Sequence, residues 1–297
     1  MNTTLRKTTT GKPVVVQRAR FYTAALLLVV TLLTPTLAAQ APPARFDPES
    51  DLLLLQYDCK TDVDDLHSVA AAAMLLRDAR FADIRFHAVA GAYGIQDGEY
   101  VPANELFAAA FGDDWSDAHD DPATARTTVA GLVVQTLNAG GEVWVAEAGQ
   151  SDFTADWLHD ILRAVDPTIT RQRVHVVQHS EWNESVTAPE KLDFVRKNSE
   201  YTKIPDGNAT ANGSPGLRLE SDTLWPRVLE DPDLGGVWRL ARETADRFNG
   251  QGGRYYNEAI GMGGMDFSDT AEVCWILGLE DLPDADAFVS EFLPANR

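Results

Sequence analysis

The sequence predicts an α/β fold built on an open, mostly parallel sheet flanked by helices. Short apolar runs of strand length alternate four times with longer stretches of helical periodicity. The first run passes straight from apolar residues into a tight turn and then a helix, with no room for a hairpin. Polar residues gather at most strand exits, the edge of such a sheet at which ligands bind.

The chain begins with an address. Residues 1–21 hold five basic and no acidic side chains, and an apolar core follows at 22–33. Small residues then allow cleavage after Ala38 or Ala41. This pattern predicts a signal peptide over 1–41 and an exported protein, periplasmic or secreted. The apolar run is shorter than the roughly 20 residues that span a bilayer, so no stable membrane insertion is expected after signal removal. Residues 42–51 form a linker, and one domain over 52–297 is the economical reading of the rest.

That domain opens with a buried strand, L-L-L-L-Q-Y, from residue 52. It ends in the acidic turn 58–65, D-C-K-T-D-V-D-D. Leu66, Val69, Ala70, Ala73 and Met74 share one face of the helix that follows to about residue 78. A second strand at 84–90 leaves through a Gly-containing exit, 91–94. A helix is expected at 104–111, an acidic surface loop at 113–122, and a helix at 123–137. The strand at 143–146 closes with residues 147–152, and the helix 153–165 turns Trp157, Leu158, Ile161 and Leu162 inward. A fourth strand, 174–177, ends in 178–183, Q-H-S-E-W-N. The segment 198–222, rich in Gly, Asn and Ser, reads as a long loop. Helices are expected at 225–230 and 237–249, and a final one at 269–277, with 250–264 irregular; 287–292 closes the chain. The aromatics Trp225, Trp238, Tyr255 and Tyr256 read as packing.

Bulk composition narrows the function. The 297 residues are 44% hydrophobic with a formal net charge of −20, and loss of the basic leader makes the mature chain more acidic still. Such a surface disfavours nucleic acid as a partner. The expected partner is a small molecule, and the sequence leaves room for a homo-oligomer. The 2 cysteines, Cys59 and Cys274, are far apart, and two buried free thiols fit their surroundings better than a disulfide.

The chemistry lies in the acidic turn. Asp58, Asp62, Asp64 and Asp65 crowd into eight residues. Carboxylates this close repel one another, and a hard divalent cation with oxygen ligands is the natural compensation. An EF-hand is excluded, because counting from Asp58 puts Lys60 at the third position and Val63 at the sixth, where oxygen and glycine are required. A phosphatase-type nucleophile would need an acid at position 60, and a phosphate-cradling glycine loop is absent.

The pattern that survives resembles the nucleoside hydrolase superfamily, whose first strand ends in D-x-D-x-x-x-D-D. Asp58, Asp64 and Asp65 match its first, third and fourth aspartates, and Lys60 stands where it carries the second. The spacing is closer still to a divergent secreted branch with a nucleoside hydrolase-like domain, whose turn resembles D-x-G-G-D-P-D-D. Residues 149–152 resemble the G-P-L-T-N turn, Glu181-Trp182-Asn183 the E-F-N segment, and Ser268-Asp269 the H-D pair. The resemblance implies a nucleoside hydrolase-like fold and a calcium ion held by Asp65 and Asp269, with Asp58, Asp62 and the Ser151 turn as further ligands. It implies sugar hydroxyls held by Asp64, Glu181 and Asn183, with His179 and Trp182 beside them. The activity implied is hydrolysis of an N-glycosidic bond in a ribonucleoside or related glycoside. The general base falls at Lys60, which while charged cannot act as one, so Asp58 or Asp62 takes the role.

Each of these residues also has a plainer reading. Asp64 and Asp65 suit a helix start, Asp62 a turn, and His179 a structural hydrogen bond. Lys60 could be an internal counter-ion that removes the need for metal. The alternative to an enzyme is a sugar- or nucleoside-binding protein that kept the fold and lost the base.

Overall fold

A computed structural model describes Gly11 and residues 45–293. Apart from Gly11, the expected signal peptide and the first linker residues lie outside the described residues. The core is a six-stranded sheet, β1 (Leu52–Tyr57), β2 (Arg85–Ala90), β3 (Trp115–Asp117), β4 (Val143–Glu147), β5 (Val174–Gln178) and β6 (Glu200–Lys203). Its order is β3-β2-β1-β4-β5-β6, and every pair is parallel. This is the doubly wound order, in which the winding reverses between β1 and β4 and opens a crevice at their carboxyl ends.

All six residues of β1 are buried, because helices cover both faces of a parallel sheet. Successive side chains serve different layers. Leu53, Leu55 and Tyr57 join one core with α1 (Asp64–Leu76), α2 (Asn104–Phe111), α8 (Trp225–Leu229), α9 (Gly235–Phe248), α11 (Ala271–Ile276) and α12 (Ala285–Phe292). Leu52 and Leu54 join the other with α3 (Pro122–Ala139) and α4 (Ser151–Ile161). Helices α5 (Pro167–Arg173), α6 (Glu181–Ser185), α7 (Pro189–Asn198) and α10 (Glu258–Gly261) fill the connections. A two-stranded antiparallel ribbon joins β7 (Arg218–Leu219) to β8 (Met265–Asp266).

Several expectations are corrected. The helix α1 is buried from Asp65 to Leu75 rather than along one face, since α9 and α2 pack over the side away from the sheet. The acidic loop at 113–122 contains the edge strand β3, and the long loop at 198–222 begins with the other edge strand, β6. Residues 181–183 open a helix instead of a loop. Trp225 and Trp238 are packed in the core as expected, but Tyr255 and Tyr256 stand 59% and 54% exposed. Cys59 and Cys274 are free and buried. Among the described residues no helix is long and apolar enough to cross a membrane.

Candidate functional site

The acidic turn leaves β1 at the reversal point, and its backbone is forced. Cys59 and Thr61 have φ of 49° and 72°, left-handed values in non-glycine residues. Each such residue costs on the order of 1–2 kcal/mol and persists only where surroundings fix it. Here Cys59 N–H donates to Asp65 Oδ2 at 2.6 Å. Val101 N–H donates to the Cys59 carbonyl at 2.7 Å, and Tyr255 N–H to the Thr61 carbonyl at 2.5 Å. The Thr61 hydroxyl donates to the Asp97 carbonyl at 2.6 Å. The β4 exit presses against this turn at Gly149, where a Cβ would collide with the Ala92 carbonyl and Asp58.

Between these exits lies a cleft of about 350 Å³. Its floor is acidic, with Asp58, Asp62, Asp64, Asp65 and Asp269, and its walls include His179, Ser180, Asn183, Asn208, Asn257 and Arg218. Asp269 reaches it from the 3₁₀ turn Ser268–Thr270 ahead of α11. One oxygen from each of Asp64, Asp65 and Asp269 lies within 4.8 Å of the others. Calcium holds oxygens at about 2.3–2.6 Å, so two of its ligands stand up to about 5 Å apart, which this trio satisfies. The second oxygen of Asp65, Oδ1, is buried without a hydrogen-bond partner. A buried orphan acceptor beside two more carboxylates fits a hard cation. Burial first, and then the neighbouring charges, push all three carboxyls well above the ordinary range.

Asp58 and Asp62 line the same cleft but fall outside that trio. Asp58 accepts from Lys60 N–H at 2.7 Å and from Gln150 Nε2 at 2.7 Å. Burial lifts its pKa to about 6 against these bonds. Asp62 accepts from Val63 N–H at 2.6 Å, and burial lifts it to about 7. Lys60 lines the cleft and its charge acts on Asp58, but it forms no ion pair with the acids. Its Nζ donates to the Gln96 carbonyl at 2.8 Å and lies 4.5 Å over the Tyr93 ring.

His179 is 3% exposed. Its backbone N–H and Nδ1 both meet Glu272 Oε1, at 3.0 and 2.7 Å. That pairing turns Nε2 toward the cleft, 4.0 Å from Asp269 and 3.9 Å from Asp206. Burial pulls the imidazole pKa down, but the Glu272 charge and hydrogen bond outweigh it and the net shift is upward. Asn183 is fixed by Gln150 Nε2 on its Oδ1 at 3.0 Å and by the Ala148 carbonyl on its Nδ2 at 3.2 Å. Trp182 stands at the rim, 46% exposed.

Two predicted site residues are not brought in. The Ser151 hydroxyl donates to Glu147 Oε2 at 2.6 Å, on the α4 side of the sheet. Glu181 is exposed on the first turn of α6 and does not line the cleft. Asp64, read as a sugar ligand, sits with the cation trio. The residues that sequence reasoning missed are polar and scattered: Gln96, Gln150, Asn208, Arg218, Tyr255, Asn257 and Glu272. None carries a local motif. Asn257 and Tyr255 fall in a stretch without periodicity, and the only available signal for Gln150 was its place in the β4 exit.

Fold and site together define a doubly wound α/β domain with a carboxylate-floored cleft at the winding reversal. No family model matches the chain, and a search of curated proteins returns no match.

Proposed function

We propose that this is an exported, calcium-dependent hydrolase of the nucleoside hydrolase type, cleaving the N-glycosidic bond of a ribonucleoside or related glycoside. The observation that carries the reading is the trio Asp64, Asp65 and Asp269, with the orphaned Asp65 Oδ1, on the floor of a cleft at the reversal point. A divalent cation bound there would supply the charge that acidifies a water and seats vicinal hydroxyls.

The chain's own groups account for the remaining work. Carboxylates around the cleft favour the positive charge that develops on a sugar ring as its glycosidic bond breaks. Asp58 accepts from Lys60 N–H and Gln150 and Asp62 from Val63 N–H; of the two, Asp62, with its pKa raised to about 7, is the acceptor assigned to the proton of an attacking water. A base whose pKa lies near neutrality is the efficient choice. His179, with Nδ1 held by Glu272, offers Nε2 to a leaving group. Asn183 and Ser180 offer polar atoms to sugar hydroxyls.

Lys60 at the position where the resembled family has its base favours a second reading, a sugar- or nucleoside-binding protein without turnover. Incubation of the mature chain with a panel of nucleosides and nitrophenyl glycosides in millimolar calcium separates the two. The hydrolase reading expects release of free base or reducing sugar, reduced about a hundredfold or more in Asp62→Ala. Binding without release from any member of the panel leaves the binder.

A further inference from the structure

The segment that follows β6 is a strap, and part of it walls the cleft. Its backbone is anchored where Ile204 N–H donates to the Gln178 carbonyl at 2.9 Å and Leu217 N–H to the Gly207 carbonyl at 3.0 Å. Gly207 lies so close to the Ser268 carbonyl that a Cβ would collide with it. Asn208 lines the cleft, and Asp206 Oδ1 lies 3.9 Å from His179 Nε2. The Asn212 side chain ties the two limbs of the strap together. Its Nδ2 donates to the Asp206 carbonyl at 2.7 Å, and its Oδ1 accepts from Ser214 N–H at 3.0 Å. Asn212 is exposed, and so is Gly213 after it, with φ of 100°. Lacking a Cβ, Gly213 leaves its nitrogen open to approach, and that N–H has no hydrogen-bond partner among the described residues.

We propose that Asn212 deamidates spontaneously, and that the carboxylate it becomes unties the strap beside the cleft. The Gly213 nitrogen attacks Asn212 Cγ and gives up its proton to solvent. The Cγ–Nδ2 bond breaks, Nδ2 leaves as ammonia, and a succinimide ring closes. Water then adds to one of the two ring carbonyls, and cleavage of its bond to nitrogen gives aspartate or isoaspartate. Nothing is oxidised or reduced, and water is the only co-reactant. During the attack negative charge develops on Oδ1, and the Ser214 N–H is already aimed at that atom. The product cannot keep the tie. An oxygen replaces Nδ2, so two acceptors face each other at the Asp206 carbonyl. The isoaspartate form also lengthens the backbone by a methylene. The chain holds one other Asn-Gly pair, Asn249-Gly250, and there the fold blocks the same chemistry. Asn249 is 7% exposed, and Asn257 holds both ends of its amide, at 2.9 and 2.7 Å. The attacking nitrogen is engaged as well, because Gly250 N–H donates to the Tyr255 carbonyl at 3.1 Å.

Ageing the purified protein for weeks at mildly alkaline pH, followed by peptic digestion and mass spectrometry, tests the chemistry. The expected result is the mass gain of an NH2-to-OH exchange at Asn212, with isoaspartate among the products. It should accumulate at least about tenfold faster than at Asn249, which reacts only through local opening. Asn212→Gln should show no gain at that position. Hydrogen exchange reads the strap itself. Amides of residues 204–217 should exchange at least about threefold faster in aged protein and in Asn212→Asp than in fresh protein, with the sheet protected as before. No gain at Asn212, or an equal gain at Asn249, overturns the modification site. A gain at Asn212 with strap exchange unchanged in both the aged protein and Asn212→Asp overturns the untying. Neither readout depends on what the cleft binds.

Discussion

Asp65 spends one carboxylate oxygen on the Cys59 N–H at 2.6 Å and leaves the other buried without a partner. An ionised carboxylate in that state is expensive, since a buried charge needs pairing, coordination or a proton. Lys60 was the one residue near enough in sequence to neutralise it, and its side chain is committed to the Gln96 carbonyl and the Tyr93 ring instead. The two positions therefore predict opposite behaviour in calcium calorimetry. Asp65→Asn should lower calcium affinity about a hundredfold or more, because it removes a charged ligand at the centre of the trio. Lys60→Met should change it less than about fivefold, toward tighter binding, because the ammonium is held by the Gln96 carbonyl and the Tyr93 ring and makes no ion pair with the trio. A large gain in Lys60→Met would mean that the ammonium does compete for the acids in solution.

At the scale of elements, the interior strands and the helices beside them were legible, and the edges were not. Strands β1, β4 and β5 are buried throughout and β2 over its last four residues, and that burial is what hydrophobic patterning records. The edge strands β3 and β6 are short and half-exposed, so water permits them polar residues that read as loop. The site divides the same way. Its acids announced themselves by crowding at Asp58–Asp65, whereas Gln96, Gln150 and Glu272 act through contacts 36 to 93 residues away in the chain and have no local signature. Gly149 is the point where two elements meet most tightly, with the β4 exit lying against Asp58 and the Ala92 carbonyl. Gly149→Ala should cost about 2–3 kcal/mol in urea unfolding and weaken calcium binding by displacing the turn. Gly131, in the exposed face of α3 with nothing within 4 Å of an added Cβ, is the contrast. Gly131→Ala should stabilise by about 0.5–1 kcal/mol.

For the whole molecule, the doubly wound sheet gathers carboxylates at one edge of a chain that already carries a formal charge of −20, and this sets how stability responds to pH. Burial pushes Asp58 up to about 6, and Asp62 and Glu147 up to about 7, while in the unfolded chain such groups ionise near 4. Between those values the folded state keeps protons that the unfolded state has released. Stability is therefore greatest below about pH 4 as far as these groups are concerned, falls as pH rises through about 7, and is level above that. A tenfold difference in proton affinity between the two states corresponds to about 1.4 kcal/mol, so the three groups together amount to several kcal/mol. A cation on the acidic floor replaces the protons of the cleft but not that of Glu147, whose hydrogen-bonded partner is Ser151 on the other side of the sheet. Thermal melts from pH 5 to 8 in EDTA should show a falling melting temperature, and millimolar calcium should recover part of the loss at pH 8. At a hundredfold excess over Kd the gain is about 2.7 kcal/mol, or roughly 5–10 °C for a domain of this size. Sodium chloride at matched ionic strength separates this from screening of the surface charge. In Glu147→Gln the EDTA curve should flatten in part, while the calcium-dependent gain persists. Superimposed curves in EDTA and calcium would mean that protons alone hold the buried carboxylates, and the cation reading would then fail with its hydrolase.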